Sequence, residues 1–415
     1  MNITLFGQKG ICQIVTGLNY KIFGTLFFSL LATITGVGIV VPLLPVYARH
    51  IGAGGLYIGL IFGAFSISRT FLLPLFGRLS DRKGRKPFIV TGLLSYALVS
   101  VAFILSTKIQ HLIVIRFFQG VASAMIMPVI QAYVGDITPS GREGFVMGLF
   151  NMSLFFGLSL GLVAGGLIND HLNLQAAFVC MGLLALVGAG LSYWLLPATG
   201  DETGLRRGRP PLAWRVIMGD RIIIGLFAFR LVYTASIGVI WGFVPVLGDL
   251  AFGLSSSQIG ILVMTGVLVS GMVQTPMGYL ADRMSCKAMV MIGGALAGSA
   301  VLSFQWAGSY AELLGASVVF GLGGGIAMPA MMALAVLKGH QTESMGSVMA
   351  VLTVAHSLGM LIGAIFAGMM MDWYELRDAF SFGFWFMLAG LGVFWLCMFG
   401  APINTGDVQG NAHGT

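Results

Sequence analysis

Three arginines and one histidine lie inside long apolar stretches: Arg69, Arg116, Arg230 and His356. An arginine at the centre of a membrane helix costs about 2.5–3.5 kcal/mol on insertion scales, so it normally faces a cavity or a partner. Arg69 sits about midway along its stretch, out of reach of either end. Arg116 is about six residues, roughly 9 Å, from one end, so its head group can partly snorkel. Arg230 is about nine residues in, where an anchor and a cavity residue are equally good readings. His356 is the one deep group that titrates near neutral pH. Its plainer reading is a neutral ring bonded to a neighbouring helix. No Asp or Glu lies comparably deep; Asp249 and Glu312 come nearest. Three embedded cations without embedded anions predict a cavity of positive potential, which favours an anionic or zwitterionic compound or a lipophilic acid. Gln119, Asn151, Tyr233, Trp241 and Gln274 are further groups that can join such a cavity.

The elements that carry these residues follow from composition. Of 415 residues, 57% are hydrophobic and 9% charged, and mean hydropathy is +0.93. A soluble domain carries about 25% charged residues, and a disordered chain has the opposite bias, so both classes are excluded. A spanning helix needs about 20 mostly apolar residues. Hydropathy divides the chain into spans at 21–48, 56–80, 87–107, 110–134, 144–168, 175–197, 221–248, 257–281, 287–307, 311–336, 346–371 and 378–400. The first run is too long for a cleavable signal peptide. The 60 glycines favour close helix contact and hence a packed bundle. The expected fold is an all-α membrane protein.

The chain divides into two copies. Ile58 and Gly59 match Ile259 and Gly260 at an offset of 201, as do Gly77, Asp81 and Arg82 with Gly278, Asp282 and Arg283, and Met127 and Pro128 with Met328 and Pro329. Gly157, Gly161 and Asp170 match Gly359, Gly363 and Asp372 at 202, and Gly38 and Pro45 match Gly238 and Pro245 at 200. The one long charged interruption, 198–220, separates an N-terminal six-helix bundle (1–197) from a C-terminal one (221–415) with a short tail. Such pseudo-symmetric halves predict a site between them near the bilayer midplane. Of the 22 Lys and Arg residues, only Arg49, Lys108 and Arg377 fall in loops on one side. Arg69, Arg116 and Arg230 are intramembrane and all others lie on the opposite side, so both termini are expected in the cytoplasm. The charge of +7 is spread over membrane edges and does not point to nucleic acid. Cys12, Cys180, Cys286 and Cys397 are scattered, implying neither a metal site nor a disulfide framework.

The second span ends in Gly77-Arg78-Leu79-Ser80-Asp81-Arg82-Lys83-Gly84-Arg85-Lys86, which by itself reads as a basic anchor loop with a turn. The string resembles the loop 2–3 signature of the major facilitator superfamily. Gly278, Asp282 and Arg283 are similar to its degenerate second copy. Arg116-Phe117-Phe118-Gln119-Gly120 resembles the fourth-helix signature of proton-coupled members, and Asp136 to Arg142 their loop 4–5. Gly148, Gly157, Gly161, Gly165 and Gly166 reproduce the fifth-helix glycine spacing of the twelve-helix drug:proton antiporters, with Leu162 where that pattern has proline. Read from physics alone, these glycines are packing positions.

The resemblance implies two six-helix bundles, a secondary transporter working by alternating access, and proton-coupled export of small amphiphilic organic compounds from a bacterial-type inner membrane. It implies no cofactor, and a monomer is expected. It places Asp81 against the first turns of the eleventh helix, near Gly346 and Ser347, as a gate. Arg82 and Arg85 are then available to Asp136 or Glu143. Two alternatives stay open: uptake or exchange of an organic anion held by the embedded arginines, and a receptor or scaffold without turnover. No P-loop, H-E-x-x-H or G-x-S-x-G pattern points to ATP hydrolysis or to an enzyme.

Overall fold

The structure, a computed structural model, describes residues 19–138, 143–197, 219–281, 283–342 and 345–399. They form helices α1 (Tyr20–His50), α2 (Gly55–Lys83), α3 (Arg85–Ile104), α4 (Ile109–Ile137), α5 (Glu143–His171), α6 (Leu174–Leu195), α7 (Arg221–Phe252), α8 (Ser256–Ala281), α9 (Cys286–Trp306), α10 (Tyr310–Gln341), α11 (Met345–Trp373) and α12 (Asp378–Met398). There is no strand among the described residues. All twelve are long and apolar enough to cross a membrane. Backbone groups have no partner in hydrocarbon, so a helix that satisfies them internally is the form such segments take. The bundle's surface is apolar: Phe71, Leu98 and Trp194 are 77%, 71% and 80% exposed. Large side chains like these belong against lipid rather than water, and the protein is an integral membrane protein.

Polar residues close the helix ends. Asn19, Asn173, Asp220 and Ser285 accept hydrogen bonds from the first backbone N–H groups of α1, α6, α7 and α9. Such caps satisfy donors that have no partner within the helix. Prolines interrupt the interiors in matching places, Pro45 with Pro245, Pro74 with Pro276 and Pro128 with Pro329.

The two halves repeat in three dimensions. α1 packs on α5 and α6, α2 on α4, and α3 on α4 and α6; α7 packs likewise on α11 and α12, α8 on α10, and α9 on α10 and α12. Two equivalent pairs, α2 with α11 and α5 with α8, together with α1 and α7, make the seam between the halves. Close approach is the work of glycine. A side chain at Gly161 would run into the Thr35 carbonyl of α1, and one at Gly363 into the Ala235 carbonyl of α7. Across the seam, one at Gly260 would strike the Leu162 carbonyl and one at Gly59 the Ala364 carbonyl. Leu162 itself is fully buried, and α5 runs through it without a break. A proline there would have kinked the helix. The expected fifth-helix packing is therefore found at Gly157, Gly161 and Gly165 against α1 and at Gly166 against Ser256 of α8. The surroundings of Gly148 lie outside the description.

Candidate functional site

At the end that carries the loops α1–α2 and α7–α8, aspartates from one half cap helices of the other. Asp170, at the close of α5, accepts hydrogen bonds from the N–H groups of Ser256 (2.9 Å) and Ser257 (2.8 Å), and from the Ser257 hydroxyl. Asp372, at the close of α11, accepts from the N–H groups of Gly55 (2.6 Å) and Leu56 (2.8 Å). A carboxylate is unfavourable at its own helix C-terminus and favourable at another helix's N-terminus. Each aspartate thus gains by joining the halves. Asn169 donates to the Ser256 hydroxyl at 2.8 Å, and His50 meets Asp249 at 2.9 Å between the ends of α1 and α7. The sequence repeat contained Asp170 and Asp372 only as matched positions. Their recurrence one turn from helix ends was the signal for a shared role.

The basic end is arranged differently. The α2–α3 junction is the single residue Gly84, with φ 85° and ψ 153°. Positive φ there demands glycine, which explains its place in the loop 2–3 string. The turn brings Arg85 within 3.1 Å of Asp81 and 2.5 Å of Asp136 on α4. The Arg85–Asp136 pairing matches the expectation. The Asp81 carboxylate is 49% exposed and held by Arg85 in its own half, and the side chains at the very start of α11, where it was expected, lie outside the described residues. Nothing lies within 4 Å of a side chain placed at Gly77, and Gly278 meets only Pro329 of its own half. The basic ends of α2 and α8 are therefore not packed across the seam at these positions. Arg82 is exposed, and Arg283 lies over the Tyr279 ring at 4.2 Å. Asp282 and Arg142 lie outside the described residues, as do the linker 198–218 and the tail 400–415.

Lys86, the last residue of the loop 2–3 string, and Lys287, expected only as basic-end charge, have matched structural tasks. Lys86 donates to the Leu196 carbonyl at 2.6 Å, tying α3 to the end of α6. Lys287 donates to the Met398 carbonyl at 3.0 Å, tying α9 to α12. Both neutralise carbonyls that a helix C-terminus leaves open.

Between the two ends the embedded cations divide. Arg116 is 3% exposed. It donates to the Gln119 side-chain carbonyl at 2.7 Å and to the Ile61 carbonyl at 3.3 Å, and it lies over the rings of Phe62 and Phe65. This places Arg116 and Gln119 in the α2–α4 contact, and neither is among the residues lining the seam cavity. Arg230 has one described hydrogen bond, from its Nη1 to the Met328 sulfur at 2.8 Å. The Nε of Arg69 and the Nδ1 of His356 are shielded from solvent and have no hydrogen-bond partner. Arg230 on α7 and His356 on α11 line one cavity, which Arg69 on α2 does not line. None of the three arginines forms a salt bridge among the described residues.

Arg230 and His356 face a cavity of about 200 Å³ at the seam, bounded also by Tyr233, Trp241, Ser270, Gln274 and Phe320, and by Phe155 of α5. Tyr233 and Phe320 are parallel, 5.6 Å apart with 4° between their planes. Tyr233 can lie there because Gly324 leaves room for its hydroxyl. Tyr233, Trp241 and Gln274 were anticipated; the Asn151 side chain is outside the description. A larger groove of about 530 Å³ between α9 and α10 holds Glu312. That carboxylate already accepts from Gly308 and Ser309, so the groove offers no unmet polar group comparable to those at the seam.

Comparison with known proteins agrees with this architecture. A "Multidrug resistance protein 2" of Bacillus subtilis is 27% identical over 395 residues, covering 89% of this chain and 94% of its own. An uncharacterised MFS-type transporter from Methanocaldococcus jannaschii is 26% identical over 365 residues, covering 86% of this chain and 93% of its own. The crystal structure of a bacterial homologue of the human lysosomal transporter Spinster, inward-facing and unoccupied, superposes with a TM-score of 0.79 at 12% identity, over 91% of this chain and 97% of that one. The sequence model of the Major Facilitator Superfamily matches residues 26–250 and 231–409, so this chain belongs to that superfamily and is a transporter, not an enzyme.

Proposed function

We propose that the protein exports small amphiphilic organic compounds by alternating access, driven by protons moving inward. The observation that carries this reading is the asymmetry of the seam. One end is joined by Asp170 and Asp372 through backbone hydrogen bonds, while among the described residues the ion pairs of the loop 2–3 motif at the other end, Arg85 with Asp81 and Asp136, stay within one half. Between them lies a cavity lined from both halves. Lysine and arginine distribution assigns the basic end to the cytoplasm of a bacterial-type inner membrane. The state described is then open toward the cytoplasm. In the opposite state Asp81 is free to leave Arg85 and cap α11, the counterpart of what Asp372 does for α2.

Multidrug efflux is supported by the resemblance of the fifth-helix glycines and by the name of the Bacillus subtilis relative. Proton coupling rests on the same resemblance, with His356 the deep titratable group in the cavity. The test is flux in proteoliposomes. A pH gradient should drive accumulation of a substrate against its concentration gradient, and substrate addition should move protons in the opposite sense. Substrate flux indifferent to the pH gradient would overturn the coupling, and absence of any flux would favour a receptor or scaffold.

A further inference from the structure

Among the described residues, one ion pair joins the two halves. Arg85 with Asp81 and Asp136 stays within the N-terminal half, and Lys338 with Asp220 ties the end of α10 to the start of α7. His50 with Asp249, at 2.9 Å, crosses the seam from α1 to α7. It is also the pair whose cation gains and loses its charge near neutral pH, because imidazole titrates there and guanidinium and ammonium do not.

The placement of the two side chains favours the charged form of the pair. His50 is the last residue of α1, and Asp249 lies in the last turn of α7. A helix C-terminus favours a cation and disfavours an anion. Imidazolium therefore suits the end of α1, and Asp249 gains at the end of α7 from a cation brought to it. The His50 side chain is 61% exposed, so protons reach it from bulk water, while Asp249 is 21% exposed. A neutral ring can still donate its N–H to the carboxylate, but the charge-assisted bond is roughly twice as strong. The conformer that holds the pair therefore binds the proton more tightly than one in which the ends are parted. By linkage, proton uptake favours the joined conformer, and this gain is lost as pH rises through the histidine range.

No other charge at this end pairs with either member among the described residues. Arg49, next to His50, donates to the Ala53 carbonyl. Of the helices packed on α1, α5 brings Asp170 and His171 to this end, and α4 starts after Lys108 with His111 in its first turn; α2, α6 and α8 bring none. Of those packed on α7, α11 brings Asp372, α10 Glu312, and α12 begins beside Glu375, Arg377 and Asp378. The carboxylates of Asp170, Asp372, Glu312 and Asp378 accept from backbone N–H groups, and Arg377 donates to the Gln305 and Ala307 carbonyls.

Resting on the reading of alternating access with this end facing outward, we infer that His50 and Asp249 form a proton-operated latch: acid outside charges His50, and charged His50 fastens the outer end of the seam to Asp249. The proton on His50 comes from the outer water and returns to it, so it is separate from any proton that crosses the membrane. In a cycle driven by inward proton movement, the acidic compartment then also favours return to the state joined at its own end.

The experiment measures spin-label distances across this end of the seam in the full chain in phosphatidylcholine nanodiscs. Substrate is absent, and the pH is taken from 8 to 5.5, either side of the value of about 6.5 at which an imidazole titrates in water. The ratio of joined to parted protein should rise about two- to fivefold, the worth of an exposed ion pair. His50→Gln and Asp249→Asn should each flatten that response and leave the melting temperature nearly unchanged, and the double variant should remove no more than either alone. His50→Lys, charged throughout, should hold the acid ratio at both pH values. A response unchanged in both single variants would assign it to other groups, such as His111, His171 or His356, and overturn the latch. A response lost in His50→Gln but kept in Asp249→Asn would overturn the pairing. Two distances whose ratio ignores pH in the unmodified protein would overturn the latch and leave alternating access standing. A single distance under every condition would overturn alternating access, and the latch with it.

Discussion

Where the loops α1–α2 and α7–α8 lie, the two halves meet backbone to backbone; where the basic loops lie, the charged groups turn back into their own half. At the first end each contact is duplicated: Gly59 on the Ala364 carbonyl with Gly260 on that of Leu162, and Asp372 on α2 with Asp170 on α8. At the second, Arg85 gathers Asp81 and Asp136, and Lys338 holds Asp220 at 2.6 Å. The difference teaches how one seam can be joined by different means at its two ends. Backbone N–H groups at a helix start donate only to an acceptor brought up close, so they reward full contact. Exposed ion pairs contribute about 0–1 kcal/mol and are readily exchanged for others. The tight end is built from the first kind of interaction and the loose end from the second.

The largest expected effect comes from filling the glycine contacts. Gly260→Leu or Gly59→Leu places a side chain where a carbonyl now sits, and overpacking costs about 1–3 kcal/mol or more. The conformer joined at this end should fall about tenfold or more in population, read as lengthened spin-label distances across the seam. Unaltered distances would show that the glycines are not what closes it. Next, Asp170→Ala and Asp372→Ala each remove a cap worth about 1 kcal/mol. Each should shift the same equilibrium about fivefold, and the double variant about 25-fold if the sites are independent. Effects of very different size would break the symmetry inferred here. At the loose end, Asp81→Asn should lower transport several-fold while leaving spin-label distances and melting temperature of this conformer nearly unchanged. Full transport by this variant would remove Asp81 from the cycle. The smallest effect is assigned to Lys86→Met and Lys287→Met. These pins act within one half, so each should lower the melting temperature by about 2–4 °C and leave the conformer ratio alone.

Much of the fold was legible in the residues. The twelve spans follow from hydropathy, and helix ends moved by only a few residues, as at Gln341, where α10 outruns its expected end at 336. The repeat at Gly59 and Gly260 or at Pro128 and Pro329 foretold equivalent places in equivalent helices, and these are what the structure shows. The site was legible only in part. Arg69, Arg230 and His356 stood out as charges in apolar surroundings, and so did Arg116. Nothing in the spacing told the satisfied arginine from the unsatisfied ones. Asp170 and Asp372 were visible as a repeated pair without a task.

The amino-acid sequence alone determined that this protein spans the membrane twelve times, that it is a doubled six-helix unit, and that its loops carry a transporter signature. Those properties are local: apolar run length, charge placement and residue spacing act within a helix and its ends. The tertiary structure decided that Asp372 serves a helix beginning at Gly55, that Arg116 finds two oxygen acceptors, and that Arg230 has a described bond only to sulfur while the Nε of Arg69 has none. These outcomes depend on how helices more than a hundred residues apart rotate against each other, and a side chain's partner across such a contact is set by that rotation rather than by its neighbours in the chain.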